Sequence, residues 1–259
     1  MQVIESFKLS GKVAVVTGGA GLFGQQIVLA LAEAGARTVM ASRNVESLRE
    51  YADELARDGL EVDCAKLDLS DSSSIDSFAK HIQDTYGGAD ILVNNAVLRC
   101  FKGWDDSSEN FSQSMRVNVT GQFEMTRHFG EQMASRGAGS IINIGSIQAM
   151  VGPDLTLYEG TNINARPDYF VHKGALLQMT KTAAAFLGPK GVRVNMLSPG
   201  GFSNAESPGT FEQRYSQRTM LRRMAGNSDI KGAIVFLASD ASRYVTAANL
   251  PVDAGYTAI

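Results

Sequence analysis

Short β-branched runs alternate with helix-length amphipathic segments along the whole chain, and few folds accept that order. The runs are Lys12–Thr17, Arg37–Ala41, Glu61–Leu67, Ala89–Val93, Ser140–Ile144, Val192–Leu197 and Asn249–Val252. Helices are expected between them near Leu22–Ala34, Val45–Asp58, Ser72–Tyr86, Glu109–Ser135, Pro167–Leu187 and Ser228–Ala238. Ser72, with Ile75 and Asp76 behind it, reads as a helix start, and Pro167 suits a first helical turn because its missing N–H needs no partner there. Strands that are apolar throughout must be covered on both faces, and parallel strands need a helical crossover between them. The pattern therefore predicts an α/β fold, a seven-stranded parallel sheet between two helical layers, built by residues 1–259 as a single domain.

In an open sheet of this kind, ligands bind beyond the carboxyl ends of the strands, so the residues after each run are the ones to read for chemistry. The first run enters Thr17-Gly18-Gly19-Ala20-Gly21-Leu22-Phe23-Gly24. Gly18, Gly21 and Gly24 are three apart between a strand and a helix. Without Cβ atoms they let the chain turn sharply, a pyrophosphate approach the backbone and the helix pack on its strand. In this strand–turn–helix context the glycines predict the dinucleotide-binding turn of a doubly wound, Rossmann-type sandwich; the alternative is a glycine-rich turn that binds nothing. An acidic residue at the end of the second strand would hold the ribose 2′-hydroxyl of NAD; the chain has Ser42-Arg43 there. A hydroxyl and a guanidinium suit a 2′-phosphate, so NADP(H) is favoured over NAD(H). The alternative for Arg43 is a solvated cation or an adenine-stacking group.

Tyr169 and Lys173 are four residues apart, and no other tyrosine has a lysine at that offset. One helical turn places them on the same face, where an ammonium favours the ionised form of a phenol whose pKa is otherwise about 10. Such a phenol can serve as acid and base. His172 is expected to point away from Tyr169.

The chain has 44% apolar and 20% charged residues, with a net charge of −3. That composition is ordinary for a globular protein and gives no general electrostatic attraction to nucleic acid. Neither a secretory core near the amino terminus nor a run of about 20 apolar residues is present, so no membrane association and a cytoplasmic location are expected. Cys64 and Cys100 do not suggest a disulfide framework, and His81, His128 and His172 lack metal-ligand spacing. No metal is expected.

Taken together these motifs resemble the short-chain dehydrogenase/reductase family from about Lys12 onward. The resemblance implies a catalytic group of Asn118, Ser146, Tyr169 and Lys173. Tyr169 would exchange the proton, Ser146 position the carbonyl oxygen, Lys173 bind the nicotinamide ribose, and Asn118 hold a water leading from Lys173 to solvent. The cofactor-binding set it implies is Gly18, Gly21, Leu22, Phe23, Gly24, Ser42, Arg43, Asp68, Leu69, Asn95, Ala96, Tyr169, Lys173, Pro199, Gly200 and Asn204. Asp68 would contact the adenine, and Asn94-Asn95-Ala96 resembles the family's cofactor-side strand end. There are departures. Leu22 stands where the short-form loop has a glycine, Val97 replaces a usual glycine, and Asn204 replaces a usual threonine. Ser146 and Tyr169 are 23 positions apart, wider than the family's usual spacing. Tyr158 occupies the usual place but has Asn162 at the next turn, so catalysis is assigned to Tyr169, and the extra segment, roughly Tyr158 to Arg166, becomes a loop over the site.

That loop is polar, and Arg99 follows the fourth strand, which favours a hydroxylated or anionic small-molecule substrate. Arg214, Arg218 and Arg222 form either a basic lid or a solvated helix face. Gly152-Pro153-Asp154, Tyr158-Glu159-Gly160-Thr161 and the carboxyl-terminal residues 252–259 resemble dehydrogenases of nonulosonic-acid sugar and flagellin-modification pathways, implying a sugar-derived substrate. The resemblance also implies a homodimer or homotetramer through the two long crossover helices; Phe111, Met115, Phe123, Phe129 and Met133 are either that interface or core. Two alternatives stand beside a sugar-linked oxidoreductase: reduction of a 3-oxoacyl thioester or other nonsugar ketone, and a silent dinucleotide sensor.

Overall fold

A computed structural model describes residues 2–203 and 207–258. Its sheet contains β1 (Val13–Thr17), β2 (Arg37–Ser42), β3 (Val62–Lys66), β4 (Ile91–Asn94), β5 (Gly139–Ile144), β6 (Val192–Pro199) and β7 (Asn249–Val252). The strands are parallel, in the order β3-β2-β1-β4-β5-β6-β7. The expected seven-stranded sheet is present, with its ends within two residues of the runs read from sequence.

Alternation along each strand divides the core in two. Ala14 and Val16 face one layer with Ile27 and Leu31 of α1 (Leu22–Glu33), Leu48 of α2 (Val45–Arg57) and Ile234 of α8 (Lys231–Ala238). Val15 and Leu92 face the other, with Phe78 of α3 (Ser72–Tyr86), Phe129 and Met133 of α5 (Gln122–Arg136) and Leu187 of α6 (Pro167–Leu187). Each such side chain contributes about 1.5–3 kcal/mol by leaving water. Phe129 and Met133 are thus core, whereas Phe123 is half exposed, beneath the Arg127 guanidinium. Phe111 packs edge-on against Phe101.

The Asp71 side chain accepts from Ser73 N and caps α3, so Ser72 is its first helical residue, in line with the expected helix start. Two local features depart from the expected pattern. The long helix expected over Glu109–Ser135 is broken into α4 (Ser108–Met115), a π-turn (Arg116–Gly121) and α5. A further helix, α7 (Gly209–Gln217), lies outside the six expected helices, in the segment where the spacing of Arg214 and Arg218 left a helix face as one reading. Its only large apolar residues, Phe211 and Tyr215, meet Tyr158 and Tyr256, so its stability comes from tertiary contacts.

β1 is the switch point: the chain moves from it toward β2 and β3, then returns to β4 on its other side. The register aligns Val16 with both Met40 and Val93, which brings the strand tips level. Buried amides hold β4 and β5 in that alignment. Asn94 donates to Asn143 Oδ1 (2.8 Å) and Thr126 Oγ1 (3.0 Å), and Asn143 donates to Thr180 Oγ1 (2.9 Å). Asn94 therefore serves the scaffold, and its neighbours Asn95 and Ala96 face the cleft.

Candidate active site

A cleft of about 970 Å³ runs along the carboxyl ends of the strands. At its β1 end the chain turns at Gly18 with φ +68°, and a Cβ there would come within 2.9 Å of Ala96 Cα. At Gly24 a Cβ would collide with the Gly18 carbonyl oxygen. These residues must lack a side chain, and Gly21 caps α1 so that its amides open into the cleft. Asn95 fastens the turn by donating to the carbonyls of Thr17 (2.9 Å) and Gly18 (3.0 Å). Thr17 Oγ1 in return accepts from Asn95 N and Ala96 N, each at 3.0 Å. A dinucleotide's pyrophosphate fits this backbone cradle.

The remaining expected cofactor residues lie along the same wall. Leu22, Phe23, Ser42, Arg43, Asp68, Leu69, Pro199 and Gly200 all line the cleft. Ser42 Oγ donates to Asn44 O at 2.7 Å, which leaves its oxygen as an acceptor but commits its proton. Arg43 is exposed and has no ion pair among the described residues. The Asp68 carboxyl is held below the usual carboxylate range, first by the Ser70 hydroxyl, which donates to it at 2.6 Å, and more weakly by Arg43. Asn204 lies outside the described residues.

Toward β5 the cleft reaches Ser146, Tyr169 and Lys173. Ser146 follows β5 after Gly145 as the cap of a short turn, Ile147–Ala149, with its Oγ accepting from Gln148 N at 3.2 Å. Pro167 opens α6 and sets Tyr169 and Lys173 on its inner face. Lys173 Nζ is 5.5 Å from the Tyr169 ring centroid and donates to Ile144 O at 2.6 Å.

The family comparison agrees with this arrangement: the family described as enoyl-(acyl carrier protein) reductase matches residues 20–257. The chain belongs to the short-chain dehydrogenase/reductase family. It is an NAD(P)-dependent oxidoreductase. Among its relatives is a galactitol 2-dehydrogenase (L-tagatose-forming) of Cereibacter sphaeroides, 36% identical over 97% of each chain. A 2-dehydro-3-deoxy-D-gluconate 5-dehydrogenase of Pseudoalteromonas atlantica is 34% identical, covering 98% of this chain and 99% of that one. A gluconate 5-dehydrogenase from Burkholderia cenocepacia, solved in complex with NADP and tartrate, superposes over 100% of both chains with a TM-score of 0.90 at 30% identity.

The electrostatics of this dehydrogenase correct one expectation. Lys173 does not simply lower the Tyr169 phenol. Burial raises the phenol above its ordinary value, while Arg99 and the neighbouring Ser146 hydroxyl pull it down. The same burial, aided by Arg99, lowers Lys173 to about 7. Desolvation exceeds pairwise attraction at Tyr169, and at Lys173 it acts in the same direction as repulsion by Arg99. His172 is a second correction. It lies three residues after Tyr169, an offset that shares a helix face, and its ring meets the Tyr169 ring edge-on at 4.9 Å. Burial, Lys173 and Arg99 lower it to about 3, so it stays neutral.

Asn118 is fully buried in the π-turn, and its amide has defined partners. Oδ1 accepts from Leu98 N (2.8 Å), and Nδ2 donates to Leu98 O (2.8 Å) and Ser114 Oγ (3.0 Å). Ser114 Oγ in turn donates to Asp168 Oδ2 at 2.5 Å. The Asn118 side chain thus braces the segment after β4 against the first turn of α6; no bond joins it to Lys173. A widened helical turn gives the amide this reach.

Several cleft residues have no sequence motif. Phe202 packs edge-on against Phe23 at 5.2 Å, and Gln148, Phe211 and Tyr215 line the substrate end. Tyr215 OH accepts from Gly201 N at 2.5 Å. The inserted segment does border the cleft, through Tyr158, Asn162, Ile163, Asn164 and Arg166. The three arginines form neither a lid nor one helix face. Arg214 donates to the carbonyls of Thr156 (3.0 Å) and Glu159 (2.5 Å), and Arg218 pairs with Asp154 at 2.7 Å, stapling α7 to the start of the insertion and the chain leading into it. Arg222 lies beyond α7 with φ +55°.

Proposed function

We propose that this dehydrogenase interconverts an alcohol and a carbonyl on a sugar-derived substrate, with NADP(H) preferred over NAD(H). One observation carries the reading: Ser146, Tyr169 and Lys173 share a single cleft with the glycine turn, and Gln148, Asn162 and Asn164 surround the space beside them. A dinucleotide held by the glycine turn would supply or accept the hydride. Tyr169 gives a proton to the carbonyl oxygen during reduction and removes it during oxidation. Ser146, beside the phenol, hydrogen-bonds the same oxygen as its charge develops. Lys173, fixed by Ile144 O, would bind the nicotinamide ribose hydroxyls. Asn118 and Asp168 brace the walls around these groups. Arg43, uncommitted at the tip of β2, is the residue for a 2′-phosphate.

Gln148, Asn162, Asn164 and Arg166 at that end favour a hydroxylated substrate over a 3-oxoacyl thioester, although Ile163 and Phe211 line it beside them. The related sugar, polyol and sugar-acid dehydrogenases support the same choice. A homodimer or homotetramer accords with the apolar residues left exposed on α5 and α6, Phe123, Val171 and Phe186, the last 74% exposed. No described helix is long and apolar enough to cross a membrane.

The test is Tyr169→Phe. Dinucleotide affinity, read by calorimetry, should persist while turnover on sugar alcohols and sugar acids falls by at least about 10²-fold, as expected for loss of a general acid–base group. Wild-type turnover in that variant refutes the assignment, and a wild-type enzyme inert toward every polyol, keto sugar, sugar acid and acyl thioester supports the silent sensor instead.

A further inference from the structure

The substrate end of the cleft has an unbalanced charge. Arg99 and Arg166 line it, Lys173 lies deeper, and no aspartate or glutamate joins them; among the described lining residues Asp68 alone is acidic, at the adenine end. Neither Arg99 nor Arg166 has an ion pair among the described residues. Their segments adjoin, because Arg166 Nη1 donates to Arg99 O at 3.5 Å. Arg99 directly follows Leu98, whose N and O Asn118 clamps, so its backbone is fixed even though its side chain is exposed.

On the reading of a sugar-derived substrate, we infer that Arg99, with Arg166 beside it, receives a terminal oxyanion of that substrate, a carboxylate or a phosphate, and so selects acidic sugars over neutral polyols. Two like charges near a buried ammonium repel one another and gain from a shared counter-ion. A guanidinium is the group suited to supply it, since its parallel N–H donors match two oxygens of a carboxylate or phosphate. Gln148, Asn162 and Asn164 then serve the hydroxyls of the remaining chain. The field of Arg99 already reaches Tyr169, His172 and Lys173, which places its charge close to the reacting end of the cleft.

The experiment compares six-carbon alditols with acids or phosphates of the same carbon skeleton, each with NADP⁺: D-gluconate and D-glucitol 6-phosphate against D-glucitol, and D-galactonate against galactitol. For each, kcat/KM is measured, together with calorimetric affinity for the NADP⁺-loaded enzyme. An acid or phosphate should exceed its neutral counterpart by at least about tenfold, the value of one charge-assisted pairing. The preference should shrink with added salt, because both arginines are exposed. Arg99→Gln should bring the ratio toward one, and Arg99→Lys should restore part of it. The ratio is decisive because any change of the Arg99 field on Tyr169 affects both substrates alike. The better of the two oxyanions identifies the terminal group. Equal or better use of D-glucitol and galactitol, or an unchanged ratio in Arg99→Gln, overturns the inference while leaving the sugar-alcohol reading intact. Tight, Arg99-dependent binding of an acid without turnover has the opposite meaning: the oxyanion site stands and the assigned reaction fails. If no acid binds more tightly than its polyol, the inference fails whatever the turnover.

Discussion

Ser114→Ala tests the brace between the π-turn and α6. Ser114 is fully buried, and its hydroxyl is the one partner of Asp168 Oδ2 among the described residues; Asp168 is 2% exposed and its Oδ1 has no partner. Removing the hydroxyl leaves both carboxyl oxygens without a donor, a loss of about 1–3 kcal/mol. It also removes the acceptor for Asn118 Nδ2, which keeps its bond to Leu98 O, so this second loss is nearer 0.5–1.5 kcal/mol. The combined destabilisation is about 2–4 kcal/mol, or a fall in melting temperature of roughly 5–12 °C for a chain of this size. Thermal melts followed by circular dichroism read the shift directly. A double-mutant cycle with Asp168→Ala isolates the bond: urea unfolding should show a coupling of about 1–2 kcal/mol between the two changes. Additive effects, or a Ser114→Ala protein as stable as wild type, refute the claim that this hydroxyl holds the two elements together.

Lys173 should impose a pH dependence on stability. Its folded value of about 7 is below its ordinary 10.5, so between those limits the unfolded chain binds a proton that the folded chain lacks. Stability therefore rises with pH across that window; the penalty is complete below it and absent above it. In urea titrations from pH 7.5 to 9.5, the advantage of Lys173→Met over wild type should shrink by up to about 1.4 kcal/mol per unit, and a constant difference contradicts the buried-ammonium account. Gly24→Ala forces a methyl group into the Gly18 carbonyl, so NADP(H) affinity should fall at least tenfold, with about 1–3 kcal/mol lost from the fold; undiminished binding shows that the turn does not cradle the pyrophosphate. Arg43→Ala should narrow the preference for NADP(H) over NAD(H) by about 10–100-fold, measured as the ratio of their dissociation constants, and an unaltered ratio makes Arg43 a solvated cation.

The alternation of apolar runs and amphipathic segments, with glycines where a Cβ cannot fit, is a local property, and it was enough to define the sheet, its coverage on both faces and the edge that bears the cleft. The offset of Tyr169 from Lys173 is local too, and it favoured Tyr169 over Tyr158 despite the insertion between Ser146 and α6. Other features depend on contacts made across the fold. The π-turn at Asn118 breaks a helix whose hydrophobic period continues through it, and α7 is ordered by Tyr158 and Tyr256 rather than by its own pattern. Helical spacing alone also misjudged the charges. A lysine one turn from a tyrosine promises a lowered phenol, but burial raises Tyr169 and lowers Lys173, and the cation that most counters burial at Tyr169 is Arg99, seventy positions earlier in the chain. Sequence by itself determined which residues reach the edge of the sheet, because strand and helix periods are short-range; only tertiary structure decided their ionisation and bracing, because desolvation and buried hydrogen bonds depend on which distant segments close over each group.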